Sequence, residues 1–459
     1  MNPPKAILSA DQSRRTIVIV GAGPAGSALA IRLRKRNIPV VLVDADKPPP
    51  LLVGESLIPA VIPHLEQLGV ADAVAAIGVR KPGASLIHPS GERADFRFRC
   101  HGKRAPDYAW NVPRPRFDSI LVGRARALGA RQVSARARLI STGEHEVALD
   151  KATRARIGLS AQPGLIIDAS GRARAVSRAL GLSATRGGRD DVACFAHYRD
   201  VTDPDLSDGR IVISILEQGW SWRIPLPDRV SVGVVVPRTA LADAGGSAAA
   251  VLDGCLLREP SMHNALGNAR RISQALRYDH YQLVGERASG SGWAALGDAF
   301  GFVDPMLSPG VFMALESAEQ LDNHIHESPA DGTPALHDAL HYEAQLRSWF
   351  DAWTHVIETF YDGRMLALQR AARIRGQEAG RLSVHPLVEH IARHSIARLV
   401  SGAGTRSPWA QGILARSARY LLRDVAPGDA AAAFAVQDSS STTAKLSWAA
   451  SEPKPVPFA

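Results

Sequence analysis

Thr16-Ile17-Val18-Ile19-Val20-Gly21-Ala22-Gly23-Pro24-Ala25-Gly26 is the stretch on which the fold turns. Its first five residues are β-branched and almost wholly apolar, the composition of a parallel strand buried on both faces. Glycines at 21, 23 and 26 follow at once, then a helix-prone stretch through Arg36, then a second buried strand, Val40-Val41-Leu42-Val43, closing on Asp44. Strand, glycine turn, helix and strand form a dinucleotide cradle. Gly21 permits the tight turn, Gly23 lets backbone approach a pyrophosphate, and Gly26 lets the helix pack closely on the strand. The helix start around Ala25 turns its unpaired N–H groups and positive dipole end toward the phosphates. Asp44 stands where a carboxylate accepts hydrogen bonds from a ribose diol.

Later segments lengthen this site and separate FAD from a nicotinamide dinucleotide. Gly54-Glu55-Ser56 follows the second strand as a loop able to cover a flavin, which makes Glu55 and Ser56 contact candidates. Leu165 to Arg172 (LIIDASGR) is a strand ending in an acidic turn near the adenosine side. Gly297-Asp298-Ala299 follows the buried strand Ala294-Ala295-Leu296, so Asp298 is expected at the ribityl hydroxyls. A Gly/Pro-rich turn then starts a helix near Val311, whose first N–H groups, with that of Gly310, are expected to face the ring.

The chain of 459 residues exceeds one compact core. Its expected architecture is α/β. A Rossmann-like FAD-binding domain is assembled from 14–84, 116–186 and 283–330. An antiparallel-sheet substrate domain is assembled from 85–115 and 187–282, where short alternating runs such as Asp95–Arg99 and Ser231–Val235 replace helical periodicity. A helical C-terminal region spans 331–424, with helix expected from Ala335, and carries Leu346, Phe350, Trp353, Ile357 and Phe360 as one apolar stripe. The Ala/Ser/Thr/Pro-rich stretch 425–459 reads as a mobile tail.

Composition narrows the function. With 46% hydrophobic and 22% charged residues, the chain is that of an ordinary soluble enzyme. Cys100, Cys194 and Cys255 lie far apart, which excludes a disulfide framework or a zinc ribbon. His324 and His326 would point in different directions on a helix, so no metal site is expected. No apolar run is long enough to span a bilayer, and the first fifteen residues lack the order of a secretory signal. A cytoplasmic enzyme is expected. The net charge of +9 is mostly arginine, scattered without aromatic interleaving, so nucleic acid is not an expected partner. It leaves open either a coding bias or a basic docking face for an acidic carrier protein.

Two further segments carry the chemistry. Trp220-Ser221-Trp222-Arg223-Ile224-Pro225 matches WxWxIP; on a strand, Trp220, Trp222 and Ile224 share one face, and Ser221 and Arg223 share the other. Phe302-Val303-Asp304-Pro305-Met306-Leu307-Ser308-Pro309-Gly310 matches F-x-x-P-x-x-S-x-G. With GESLIP at Gly54–Pro59, the sequence resembles the flavin-dependent halogenases, a branch of the FAD-dependent aromatic monooxygenases, from about Arg14 to Ala330.

The resemblance implies that Trp220, Trp222, Ile224 and Pro225 wall the flavin off from the substrate. It implies that halide lies against Ser308, Gly310 and Val311. Lys81, in Gly78-Val79-Arg80-Lys81-Pro82-Gly83-Ala84, looks like the family's essential lysine. In the family, reduced FAD, dioxygen and halide yield hypohalous acid, which the lysine presents to an electron-rich ring. A lysine suits the role because its ammonium is a compact donor whose pKa falls on desolvation. The segment Asn111–Asp118 is similar to the start of a second FAD-contacting helix in these proteins. Arg124 on that helix reads equally as a phosphate contact or a solvated arginine.

Two departures matter. Leu307 stands where tryptophan halogenases carry glutamate, which points to a phenol- or pyrrole-like substrate, free or on an acyl or peptidyl carrier protein. Pro309 removes one N–H from the halide turn. Reduced FAD would come from a separate flavin reductase. An aromatic hydroxylase of the same fold, or a non-catalytic flavoprotein binding a carrier or redox partner, are the competing readings.

Overall fold

Ile17–Val20 is buried along its whole length and lies inside a six-stranded sheet. The order is Ser289–Gly290, Trp293–Ala295, Leu165–Asp168, Ile17–Val20, Val40–Asp44, Arg131–Ser134. All neighbours are parallel except the short Ser289–Gly290 edge, and Val18 pairs with Ile166 on one side and Val41 on the other. The structure, a computed structural model, describes residues 7–45, 53–98, 106–279, 282–361 and 401–402. The expected tail 425–459, the expected helix beyond Tyr361, and Arg99 and Cys100 lie outside the described residues.

The glycine turn leads into the helix Pro24–Lys35, which buries Ala28, Leu29, Ile31 and Leu33. Helices Arg114–Ala127 and Gly310–His324 pack beside it. The parallel sheet ends toward a second, eight-stranded sheet. In that sheet, Arg270–Arg271 and Leu276–Asp279 both pair with Asp191–Arg199, followed by Arg229–Pro237, Gly219–Leu226, Ile211–Leu216, Gly83–Ile87 and Arg93–Arg97. Pairing is antiparallel except between Ile211–Leu216 and Gly83–Ile87.

Period-two alternation gives this sheet two buried faces. Phe195, Ile213, Trp220, Trp222 and Val235 join the main core. Cys194, Val232 and Val234 meet Leu252, Cys255 and Met262, which come from the helices Ala248–Arg258 and Pro260–Leu266. A two-stranded ribbon, Val79–Lys81 with Ala109–Asn111, runs alongside. The strand Gly83–Ile87 crosses the expected domain boundary between 84 and 85.

The region after 330 differs from expectation at its start. Pro334–Leu336 is a strand paired with Ile325–Glu327, and the helix runs Ala339–Tyr361. Proline has no N–H for a helix interior, and the Asp338 carboxylate instead caps the helix by accepting from the His341 N–H at 3.3 Å. The apolar stripe from Leu346 to Phe360 is buried at every position. Among the described residues no helix is long and apolar enough to cross a membrane.

Candidate active site

A cavity of about 1810 Å³ opens between the carboxyl ends of the parallel strands and the inner face of the second sheet. At its nucleotide end lie Gly21, Gly23, Ala25 and Asp44. Gly21 has φ +108°, and a Cβ there would sit 2.2 Å from the Ala169 carbonyl oxygen. Gly26 does not line the cavity; a Cβ on it would meet the Gly21 oxygen at 2.0 Å, so its role is close packing of helix on turn. A Cβ on Gly23 would meet nothing within 4 Å, because the position faces open space. Gly23 caps the helix with no side-chain hydrogen bond, which leaves the first-turn N–H groups for a ligand.

The helix Arg114–Ala127 contributes one stripe to the cavity: Arg114, Asp118, Val122 and Arg126. Arg114 Nε donates to Asp118 at 3.0 Å, and a second nitrogen donates to the Val53 carbonyl. Burial opposes the Arg114 charge, yet Asp118 and Asp298 hold its pKa above the ordinary arginine value. Asp298 also lines the cavity; burial pushes its pKa up to about 6 against the pull of Arg114 and Arg172. Arg124 is a correction. Two residues past Val122 means a turn of about 200° around the helix, and its Nε points to the Leu68 carbonyl at 3.4 Å, away from the cavity. Arg114 and Arg126, which sequence reasoning passed over, occupy the cavity face instead. Their i, i+4, i+8 and i+12 spacing with Asp118 and Val122 was the available signal.

At the other end, Glu55 and Ser56 line the cavity with Ser308, Gly310 and Val311. Glu55 is 2% exposed, and His197 Nε2 lies 2.9 and 3.1 Å from its two oxygens. The pair joins residues 142 positions apart, so no local pattern marked His197. Leu307 and Ser308 both take positive φ, +64° and +60°, a strained pair for residues with side chains. The Ser308 N–H donates to Pro305 at 3.0 Å. Pro309 caps the helix Gly310–His324 without a side-chain bond, leaving the Gly310 and Val311 N–H groups at its start.

Trp220, Trp222 and Ile224 face the cavity from the second sheet, with Ile211, Ile213 and Ser231 beside them. Pro225 is a correction: alternation turns it to the opposite face with Ser221 and Arg223, and it does not line the cavity. Trp222 lies across Gly233, where a Cβ would come within 2.2 Å of its ring, and Trp220 stacks at a tilt 5.7 Å from it.

Lys81 lies behind this lining. It is 2% exposed and donates to Ser56 Oγ at 2.8 Å and the Leu57 carbonyl at 3.0 Å. Its Nζ is 5.2 Å from the Phe98 ring centroid, and burial lowers its pKa to about 7. Ser56 lines the cavity and Lys81 does not, so one hydroxyl separates the amine from the cavity lining.

Away from this site, His64, Glu316 and Glu319 bring ligand-type atoms within 4.8 Å of one another, a cluster no sequence spacing announced. Arg32 donates to Glu319 there at 3.0 Å, so a cation already serves that carboxylate.

The family profile described as tryptophan halogenase matches residues 16–85 and 92–365. The chain belongs to that family. It is therefore an FAD-dependent oxidoreductase with a Rossmann-type fold. The chain is 29% identical to a tryptophan 2-halogenase of Chondromyces crocatus, over 76% of this chain and 68% of that protein. It is also 29% identical to a 1H-pyrrole-2-carbonyl-[peptidyl-carrier protein] brominase of Pseudoalteromonas luteoviolacea, over 68% of this chain and 77% of that one. The solved myxobacterial chondrochloren halogenase CndH superposes with a TM-score of 0.62 at 25% identity, covering 91% of this chain and 97% of that one. The site fits FAD: an uncapped helix start and the open position at Gly23 suit the pyrophosphate, Asp44 suits the ribose, and the cavity continues to the second helix start at Gly310.

Proposed function

We propose that this halogenase-family enzyme halogenates an electron-rich aromatic, phenol- or pyrrole-like, through a hypohalous acid relayed by Lys81. The observation that carries this reading is a lysine 2% exposed, with its pKa brought to about 7, one hydroxyl away from the cavity lining. When bound, FAD reduced by a separate flavin reductase supplies, with dioxygen, the oxidising equivalents that turn halide into hypohalous acid.

The chain's own residues then divide the work. The Gly310 and Val311 N–H groups, at a helix start with its positive dipole end, hold the halide. Trp220, Trp222 and Ile224 keep the arene away from the ring, so only a small oxidant crosses. Lys81 Nζ donates a hydrogen bond to the oxygen of hypohalous acid and turns its halogen toward the arene; the neutral fraction present near pH 7 also permits an N–halogen bond. The arene carbon gains the halogen, and the displaced ring proton leaves with hydroxide as water. Support for a carrier-bound pyrrole comes from the brominase relative, whose name specifies such a substrate. Against free tryptophan stands Leu307, which packs on Val356 where the family's tryptophan enzymes carry a carboxylate.

The test is the product mass after incubation with a flavin reductase, bromide and a panel of phenols, pyrroles (free and carrier-loaded) and tryptophan. A bromide-dependent mass gain on phenols or pyrroles is expected. A gain of oxygen alone, indifferent to bromide, would refute the reading in favour of hydroxylation.

A further inference from the structure

Trp220 of the tryptophan wall and Asp304 of the halide turn lie more than eighty residues apart, yet one side chain on a third element touches both. Tyr361, at the end of the helix Ala339–Tyr361, is buried. Its hydroxyl accepts from Trp220 Nε1 at 2.8 Å and donates to the Asp304 carboxylate, whose oxygens lie 3.1 and 3.2 Å away. Asp304 is 1% exposed and also accepts from the Met306 N–H at 2.8 Å, closing the turn that leads to Leu307 and Ser308. The phenol ring is held in turn: the Arg189 guanidinium lies 3.7 Å from its centroid and donates to Asp191 at 2.6 Å. The same helix braces the turn a second time, where Val356 packs on Leu307.

Chemistry dictates what this arrangement does. A tyrosine hydroxyl can accept one hydrogen bond and donate another, so it joins an indole donor to a carboxylate acceptor with no polar atom left over. Both partners are buried: the hydroxyl is the acceptor for the indole N–H, and it is the second donor to a carboxylate that otherwise receives only the Met306 N–H among the described residues. The turn it steadies carries two consecutive residues at positive φ, a conformation that persists only where surroundings over-determine it.

We infer that Tyr361 is a positioning residue that locks the Trp220 wall to the Asp304–Gly310 turn, so that halide binding and containment of the oxidant are set by one hydroxyl. This rests on the halogenase reading above. Tyr361 does not line the cavity; it acts through Trp220 and Asp304.

The experiment compares wild type with Tyr361→Phe, both FAD-loaded, using bromide as the probe. Bromide dissociation constants come from the perturbation of flavin absorbance. During turnover with a flavin reductase and no arene, hypobromous acid escaping into solution is captured by an excess of a reactive dione. Loss of the shared hydroxyl strands two buried partners, so the bromide constant is expected to rise roughly tenfold, together with more escaped hypobromous acid per FAD oxidised. Tyr342→Phe removes another buried hydroxyl from the same helix, one that donates to the Ala295 carbonyl at 2.8 Å, and is expected to leave both readouts within about threefold of wild type. A folded, FAD-loaded Tyr361→Phe with both readouts unchanged overturns the inference, as does Tyr342→Phe matching it in both. If wild type itself neither binds bromide nor forms hypobromous acid, the halogenase reading fails instead.

Discussion

Replacing Lys81 with methionine keeps the length of the side chain, removes its charge, and isolates what burial does to it. An ordinary lysine pKa of 10.5 falls here to about 7 because the ammonium loses its water. The folded-state value is the lower one. Between about 7 and 10.5 the unfolded chain therefore carries a proton that the folded chain has released, and stability rises with pH across that window. One proton gives a slope of about 1.4 kcal/mol per pH unit, and the whole window amounts to roughly 5 kcal/mol. Lys81→Met lacks this term. It should exceed wild type in stability most below pH 7, with the gap closing steadily toward pH 10.5. Urea unfolding of both proteins at intervals from about pH 6 to 10 reads the difference directly. A gap that stays flat across that range would refute the claim that the amine is desolvated in the folded protein. In the same preparations bromination should vanish while FAD remains bound, because Lys81 lies outside the cavity lining.

Other substitutions test other parts of the site. Arg114→Ala should weaken FAD binding about tenfold or more by removing a buried cation from the cavity, whereas Arg124→Ala should leave the FAD dissociation constant unchanged; equal effects would contradict the helix facing described here. Gly233→Ala places a Cβ 2.2 Å from the Trp222 ring and should shift that indole, raising the hypobromous acid that escapes during turnover while FAD stays bound. Asp298 has its pKa raised from 3.8 to about 6, so its share of stability is full below 3.8 and is lost as pH rises through about 6. Asp298→Asn should accordingly stabilise the FAD-free protein at pH 8 by up to about 3 kcal/mol, and weaken FAD binding, as seen by thermal melts with and without cofactor.

What was legible in the sequence was whatever lies within a few consecutive residues. Ile17 to Gly26 states its own strand, turn and helix, and the fold and family follow from it with the WxWxIP and F-x-x-P-x-x-S-x-G segments. Periodicity also placed Trp220, Trp222 and Ile224 on one face. Reading the hexapeptide as a unit, however, assigned Pro225 to the wall, when the same alternation sends it to the other side. For Arg124 the two readings, phosphate contact or solvated arginine, are separated by its angle around the helix, and Arg114, four residues before Asp118, holds the cavity face. His197 against Glu55 and Tyr361 against Trp220 join positions 142 and 141 residues apart. Such pairings depend on how two sheets and a helix close on one another, and no local spacing encodes that.

The buried ionisable groups follow a common logic. Asp298 and Asp304, raised to about 6 by burial, resist losing their protons; Lys81, lowered to about 7, resists keeping its own. Below about pH 6 the lysine is a buried cation beside neutral carboxylates, above about pH 7 the amine is neutral and both carboxylates are buried anions, and between the two values all three carry charge, so the folded chain meets an electrostatic cost throughout this range. Apolar side chains of similar volume would remove that cost. All three groups lie at the seam between the sheets or in the turn before Gly310, within reach of the cavity or one side chain removed from it. On the mechanism proposed above, burial at this seam would keep water from the oxidant, and the same dryness displaces the three pKa values. In that proposal the three perturbed groups follow from excluding solvent along a reactive path, whereas Asp168 and Tyr342, buried against the parallel sheet, are shifted by the same desolvation without lining the cavity.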